Sequence, residues 1–238
     1  MKLKFLAYGN EKFSESRCRI KIEASKLNFF TDIKIHTEKT ILQLSEYKNA
    51  IRNKEFVDIF NKKKGGGYYM WKPLIVYEEL KKLKENDILF YADCGCTIPS
   101  GEQTIKKLEK YASITKRHET GILAFRNPFK ESSYTKSDIF DHFNVQTNEE
   151  ICQTRQVTTN RFVIRKCDKS MELVKLWWDT ARTFPHLFSD AKSKIPNFEN
   201  FRVNRHDQSN WSVICKKYNV AQDFKWNQQA IKATRIRR

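Results

Sequence analysis

The sequence predicts a single α/β domain, with a mostly parallel central sheet and helices on both faces. Three observations predict it. Short apolar runs alternate with amphipathic stretches along all 238 residues, the pattern of strands joined by helical crossovers. The run Ile88–Ala92 is apolar without alternation, as a strand covered on both faces must be. No repeat, low-complexity block or linker divides the chain, and 7 Gly and 5 Pro are too few for a fibrous or linker-rich protein.

In chain order, residues 4–8 read as a first strand and 33–36 as a second, with a basic helical pattern over 12–28 between them. Residues 41–61 read as one longer helix with apolar positions at Leu42, Tyr47, Ile51, Phe56 and Phe60. Pro73 suits the first turn of a helix, where its missing N–H costs nothing. Val76, Leu80 and Leu83 then share a face, leaving Glu78, Lys81 and Lys82 outside it. Strand Ile88–Ala92 stops at Asp93-Cys94-Gly95. A helix near 100–114, a strand at 122–125, a loop-rich stretch to about 150 and a strand at 156–165 follow. Asp168 is suited to cap the next helix, whose buried face carries Met171, Val174, Trp178 and Ala181. A last helix, from about Asp207 to Lys217, buries Trp211, Ile214 and Cys215.

Composition narrows the function. Aromatic residues at 13% exclude a disordered chain, and no apolar run approaches the ~20 residues of a membrane-spanning helix. The net charge of +17 raises nucleic acid as a partner. Its distribution argues against that: 24 basic and 16 acidic side chains in residues 1–120, 21 and 12 in residues 121–238. A nucleic-acid module concentrates its charge in a stripe or arm. The runs here are Lys62–Lys64 and the tail residues Arg235, Arg237 and Arg238, enough for weak attraction to a membrane surface. The six cysteines form no disulfide framework, and the N-terminal segment turns polar too early for a signal peptide. A cytoplasmic protein with reduced thiols, able to associate peripherally with a membrane, is the expectation.

Asp93 is the leading functional candidate, because ligands of open α/β sheets bind beyond the carboxyl ends of the strands. A carboxylate there can hold Mg²⁺ or Mn²⁺; the plainer alternative is an Asp that caps its own turn. Gly65-Gly66-Gly67 could let backbone approach a diphosphate, although no Gly-Lys-Ser/Thr follows to make a P-loop. Tyr68, Tyr69 and Trp71 offer surfaces for a base or sugar and Lys72 adds a cation; core packing is the alternative for Trp71. His206-Asp207-Gln208 opens the last helix, where Asp207 either caps it or handles a sugar hydroxyl, and His206 could complete a metal site. Gly-x-Ser-x-Gly, His-Glu-x-x-His and Gly-x-Gly-x-x-Gly are absent, and nothing around Cys94 marks an activated thiol. Asp138 and Asp141 read as solvated.

Four blocks together resemble small glycosyltransferases of the GT-A fold, found in bacterial, algal and giant-virus genomes and acting in surface-polysaccharide or glycoprotein-glycan synthesis. They are Gly66-Gly67-Tyr68-Tyr69-Met70-Trp71-Lys72-Pro73, Asp87 through Cys96, Tyr134-Thr135-Lys136-Ser137-Asp138, and Arg205-His206-Asp207-Gln208-Ser209. The resemblance implies a GT-A-like, Rossmann-like fold, a nucleotide-sugar donor, a glycan, glycoprotein or lipid-linked acceptor, and a divalent metal, Mn²⁺ or Mg²⁺. It implies donor binding by Gly67, Tyr69, Trp71, Lys72, Asp93 and Gly95, with metal at Asp93 and His206. Thr135, Lys136, Asp138 and Gln208 would lie on the acceptor side, and Asp207 and Asp93 would be catalytic. It also suggests a nucleotide-sugar-binding part over 1–125, an acceptor-side part over 126–230 and a basic tail over 231–238. One departure is visible: the fold's Asp-x-Asp becomes Asp93-Cys94-Gly95, with glycine in place of the second carboxylate, so that either His206 or Asp207 compensates, or the site binds metal weakly, or positive side chains replace the metal. The rival classes are a basic nucleic-acid-binding protein and a non-catalytic glycan-binding homologue.

Overall fold

A computed structural model describes residues 1–223, 229–234 and 236. One six-stranded sheet organises them: β1 (Leu3–Tyr8), β2 (Asp32–His36), β3 (Ile88–Ala92), β4 (Ile122–Lys130), β5 (Arg155–Arg165) and β6 (Ala221–Asp223), in the order β2-β1-β3-β5-β4-β6. Five strands run the same way, and β5 alone opposes its neighbours β3 and β4. The α/β class and the mostly parallel sheet are therefore as expected. The anticipated boundary at residue 125 falls inside β4, which continues to Lys130. Arg235, Arg237 and Arg238 of the basic tail lie outside the described residues.

Among the described residues, twelve α-helical segments flank the sheet: α1 (Ser14–Lys26), α2 (Glu38–Ile41), α3 (Ser45–Ala50), α4 (Lys54–Phe60), α5 (Gly65–Tyr68), α6 (Trp71–Lys81), α7 (Glu102–Arg117), α8 (Glu131–Tyr134), α9 (Ser137–His142), α10 (Glu149–Cys152), α11 (Asp168–Thr183) and α12 (Asp207–Lys217). Successive strand residues point to opposite faces, which splits the core in two. Leu6, Leu89, Tyr91 and Phe162 face α6, α11 and α12. Phe5, Phe90, Leu123 and Val163 join Ile20 and Ala24 of α1 and Leu108 of α7 on the other side. Burying each such side chain stabilises the fold by about 1.5–3 kcal/mol. Among the described residues no helix is long and apolar enough to cross a membrane. All six cysteines are free thiols.

Three local expectations need correction. Residues 41–61 are not one helix but the end of α2 followed by α3 and α4, with Leu42 and Ile51 exposed at 53% and 44%. The apolar positions recur at about 4.5 residues, too wide for the 3.6 of a continuous helix, and the Asn53 side chain starts α4 by accepting from Phe56 N. Glu78 is buried rather than outside, because α3 lies over it: its carboxylate accepts from Ser45 Oγ and Glu46 N, each at 2.8 Å. The α11 cap is Cys167, whose N–H donates to Ser170 Oγ at 3.0 Å, while Asp168 is an exposed first-turn residue.

Glu79, on the same helix as Glu78, anchors α6 to the sheet edge. Its buried carboxylate pairs with Lys4 of β1, with His36 Nε2 of β2 at 3.0 Å and with Lys82 at 2.8 Å. Burial would raise the Glu79 carboxyl, but the hydrogen bonds from His36, Lys4 and Lys82 hold it well below the ordinary carboxylate range. A depressed folded value adds stability that is complete above the unfolded range and lost as pH falls through it toward the folded value. Glu79→Gln is therefore expected to destabilise strongly at neutral pH, by ~3 kcal/mol, with the deficit shrinking below about pH 5. Urea midpoints of both proteins across acidic pH test this; a deficit independent of pH would show that the carboxylate charge is not its source.

Candidate active site

A cleft of about 620 Å³ opens beyond the carboxyl ends of β1 and β3, within the range of small-molecule sites. Four stretches line most of it: Tyr8-Gly9-Asn10, the turn at Asp93–Cys96, Thr159 and Asn160 of β5, and residues 203–208 leading into α12. Gly65 and Gly66 close one side.

That side has unusual geometry. Gly65, Gly66, Gly67, Tyr68 and Tyr69 all have positive φ, between 51° and 87°, so the segment is a left-handed turn in which Tyr68 N donates to Lys64 O at 2.8 Å. Glycine adopts this conformation freely, whereas each tyrosine pays roughly 1–2 kcal/mol in it. A Cβ on Gly67 would lie 2.2 Å from the Phe60 carbonyl. Gly67 is thus buried against the end of α4, and Gly65 and Gly66 present backbone to the cleft. Trp71 secures the turn by donating its indole N–H to Gly65 O at 3.0 Å, and stacks on Tyr8 with centroids 3.9 Å apart.

Lys72 reaches the cleft floor from the first turn of α6, buried except for 2%. Its Nζ lies 3.1 Å from Asp93 Oδ1 and 3.0 Å from Asp207 Oδ2, with longer contacts to Thr159 O at 3.3 Å and Thr159 Oγ1 at 3.4 Å. Asp93 also accepts from Tyr91 OH at 2.6 Å, and its own N–H donates to Asn160 O at 2.9 Å. Behind the turn, the Arg19 guanidinium donates to Cys94 O and Cys96 O at 2.8 and 2.9 Å. Gly95 lines the cleft. Asp207 is the first residue of α12, and its carboxylate is committed to Lys72 and Thr159 rather than to capping its own helix.

Burial alone would lower the Lys72 pKa, but Asp207 and Asp93 reverse the effect and keep the ammonium charged. Burial raises the Asp207 carboxyl against the pull of Lys72. Burial, with Asp93 beside it, pushes the Cys94 thiol up to about 11, so it is no thiolate nucleophile at neutral pH.

The divalent metal can be tested against this donor set. Among the described residues no three His, Cys, Asp or Glu side chains gather as a metal cage. The cation already between Asp93 and Asp207 is the Lys72 ammonium. His206 lines the cleft, but its Nε2 bonds Asp190 Oδ1 at 2.9 Å and its ring lies against Tyr68 and Tyr69. Asp93 with His206 therefore does not fit a resident divalent metal.

The expected acceptor-side residues separate. Gln208 lines the cleft and donates through Nε2 to Gln156 Oε1 at 2.7 Å. Thr135, Lys136 and Asp138 do not line it. Thr135 donates to the buried Glu131, which also accepts from Gln156, Ser212 and Lys216. Lys136 donates to the carbonyls of His186 and Ala191, and Asp138 accepts from Lys194 N and Ile195 N. The three hold the framework and the 186–195 segment behind the cleft. Sequence reading missed Tyr8, Thr159, Asn160 and Arg19. The strand-end rule that found Asp93 applies equally to Tyr8-Gly9; Arg19 and Thr159 carry no local signal.

No family model and no curated protein matches the sequence. Among solved structures, the chain is similar to mouse xyloside xylosyltransferase 1 in its apo form, at 8% identity and a TM-score of 0.46, covering 94% of this chain and 85% of that one. A glycosyltransferase involved in the glycosylation of the major capsid of PBCV-1 aligns at 9% identity and a TM-score of 0.37, over 85% and 81%. The galactosyltransferase LgtC, in complex with donor and acceptor sugar analogs, aligns at 10% identity and a TM-score of 0.38, over 93% and 73%.

Proposed function

We propose that the chain is a glycosyltransferase, moving a sugar from a nucleotide-sugar donor to a hydroxyl of a glycan, glycoprotein or lipid-linked acceptor. The observation that supports this best is the Asp93–Lys72–Asp207 array, with Lys72 and Asp207 buried and Asp93 half-exposed, on the floor of a cleft walled by a glycine turn and Trp71. Glycosyl transfer needs its charges in that relation. Breaking the bond from the anomeric carbon to the diphosphate leaves negative charge on phosphate, which a fixed cation in a dry site stabilises without reorganising. The acceptor hydroxyl must be aimed at the same carbon, and holding it there supplies much of the rate. Asp207 takes the acceptor proton if configuration inverts, and orients the acceptor hydroxyl if configuration is retained. Gln208 supplies a further polar contact for an acceptor hydroxyl. The glycine turn and Trp71 hold the donor.

The test is a panel of nucleotide-sugars, with and without Mn²⁺, read by thermal shift and by release of nucleoside diphosphate. One donor is expected to raise the melting temperature, since a ligand that binds only the folded state stabilises it, and to be turned over. Asp93→Ala is expected to cut turnover by at least ~10²-fold while the protein stays folded. Steeply salt-dependent oligonucleotide binding with no response to any donor would instead favour the nucleic-acid reading. Donor binding without turnover would make the chain a non-catalytic homologue.

A further inference from the structure

We infer that the Lys72 ammonium, aided by Lys12 and Lys63 at the rim of the cleft, takes the part of a divalent metal in holding the donor's diphosphate. The inference rests on the glycosyl-transfer reading and goes beyond it by naming the cation. Asp93 and Asp207 are the acidic side chains of the cleft floor, and both are already spent on one ammonium at 3.1 and 3.0 Å. A Mg²⁺ or Mn²⁺ ion needs an octahedron of oxygens at about 2.0–2.2 Å. Seating one there would break the buried Lys72–Asp207 pair and the half-exposed Lys72–Asp93 pair, and set a dication against a buried ammonium. Gly95, where a second strand-end carboxylate would help, contributes none.

Lys72 holds its present acceptors loosely. Its hydrogen bonds go to Thr159 O and Oγ1 at 3.3 and 3.4 Å, the long end of the range, and its contacts with Asp93 and Asp207 at 3.1 and 3.0 Å are ion pairs, with Asp207 Oδ2 accepting no aligned hydrogen bond. A phosphate oxygen entering the cleft can replace Thr159 as the third acceptor without disturbing either ion pair. Lys12 and Lys63 line the same cleft, are exposed, and form no ion pair with a described residue. Their charges are available to a diphosphate, which the floor alone, with two carboxylates and one ammonium, would repel.

The step balances without a metal. The bond from the anomeric carbon to the phosphate oxygen breaks, and its electron pair stays on that oxygen beside Lys72. The acceptor oxygen forms the new bond to the same carbon. Its proton passes to Asp207 on inversion or to the leaving phosphate on retention.

Binding of UDP, GDP and CDP, measured by calorimetry in EDTA and again with Mn²⁺, separates the possibilities. The expected result is one diphosphate that binds within about threefold as tightly in EDTA as with Mn²⁺. Lys72→Met should weaken that binding ~10–100-fold, the effect of losing a hydrogen bond to a charged group. Should Lys72→Met fail to fold, Lys12→Ala with Lys63→Ala, both exposed, is expected to weaken binding in EDTA ~10-fold. Binding that appears only with Mn²⁺, or that is unchanged by loss of both rim lysines, overturns the inference and leaves glycosyl transfer standing. No binding of any of the three diphosphates in either condition, or of any nucleotide-sugar, overturns the glycosyl-transfer reading itself.

Discussion

Asp207→Asn is expected to lower kcat by ~10²–10⁴-fold, the usual contribution of a positioned general base, while leaving diphosphate affinity within a few fold. Asparagine keeps the volume of the side chain and its contact with Thr159, but gives up the negative charge that can accept a proton. Lys72 then keeps one carboxylate, Asp93 at 3.1 Å, so its ammonium remains charged and the floor of the cleft keeps its cation. Stability should fall, since an ion-pair partner is lost in a buried setting, but by less than the ~3–5 kcal/mol typical when no second partner remains. The measurement is steady-state kinetics on the best donor, alongside calorimetry with its diphosphate. A variant with undiminished kcat would remove Asp207 from the chemistry; equal losses in kcat and diphosphate affinity would assign it to holding Lys72.

Glu131→Ala is expected to have the largest effect on stability, ~3–5 kcal/mol. Glu131 is fully buried, and its two oxygens accept from Thr135, Gln156, Ser212 and Lys216. Lys216 Nζ lies 2.6 Å away and is itself buried, so truncation strands an ammonium with only the Ile151 and Thr154 carbonyls. In a chain of this size the loss corresponds to roughly 10 °C in melting temperature. The same change should reach the cleft, because Glu131 fixes which end of the Gln156 amide meets Gln208. With Gln156 Nε2 turned to Glu131, its Oε1 receives the Gln208 N–H, and Gln208 keeps its carbonyl for a ligand. KM for the acceptor should therefore rise more than kcat falls. A melting temperature within a degree or two of wild type would refute the assignment of Glu131 as the anchor of this network.

What the sequence discloses follows physical locality. β1 and β3 were readable because burial on both faces leaves apolar runs, whereas β6, three half-buried residues, left no such signal; α12 was readable in outline because Asp207 opens it and Trp211, Ile214 and Cys215 repeat at helical spacing. Asp93, Trp71 and Lys72 stood out because each sits where one element ends or begins. The ion pairs joining Lys72 to Asp93 and Asp207 were not readable: the partners are 21 and 135 residues away, on a strand end and another helix. Thr135, Lys136 and Asp138 show the converse. Their residue types suit a binding loop, yet their polar atoms are consumed by Glu131 and by the backbone of residues 186–195. Only the fold decides whether such side chains face solvent or framework. The breaks between α2, α3 and α4 were legible only in the spacing of Leu42, Tyr47, Ile51, Phe56 and Phe60, too wide for one helix, and helix formers continuing across the breaks mask that signal.

The left-handed turn at 65–69 has a consequence for cooperativity. A right-handed helix lengthens by adding one residue at a time to an existing end, and it cannot pass through a segment of opposite hand. α4 and α6 lie on either side of this turn, and without it they could fuse into one rod that would carry Trp71 and Lys72 away from the strand ends. Reversal of hand acts as a fence between two propagating helices, and it sets the mouth of the cleft before any side chain in it is considered.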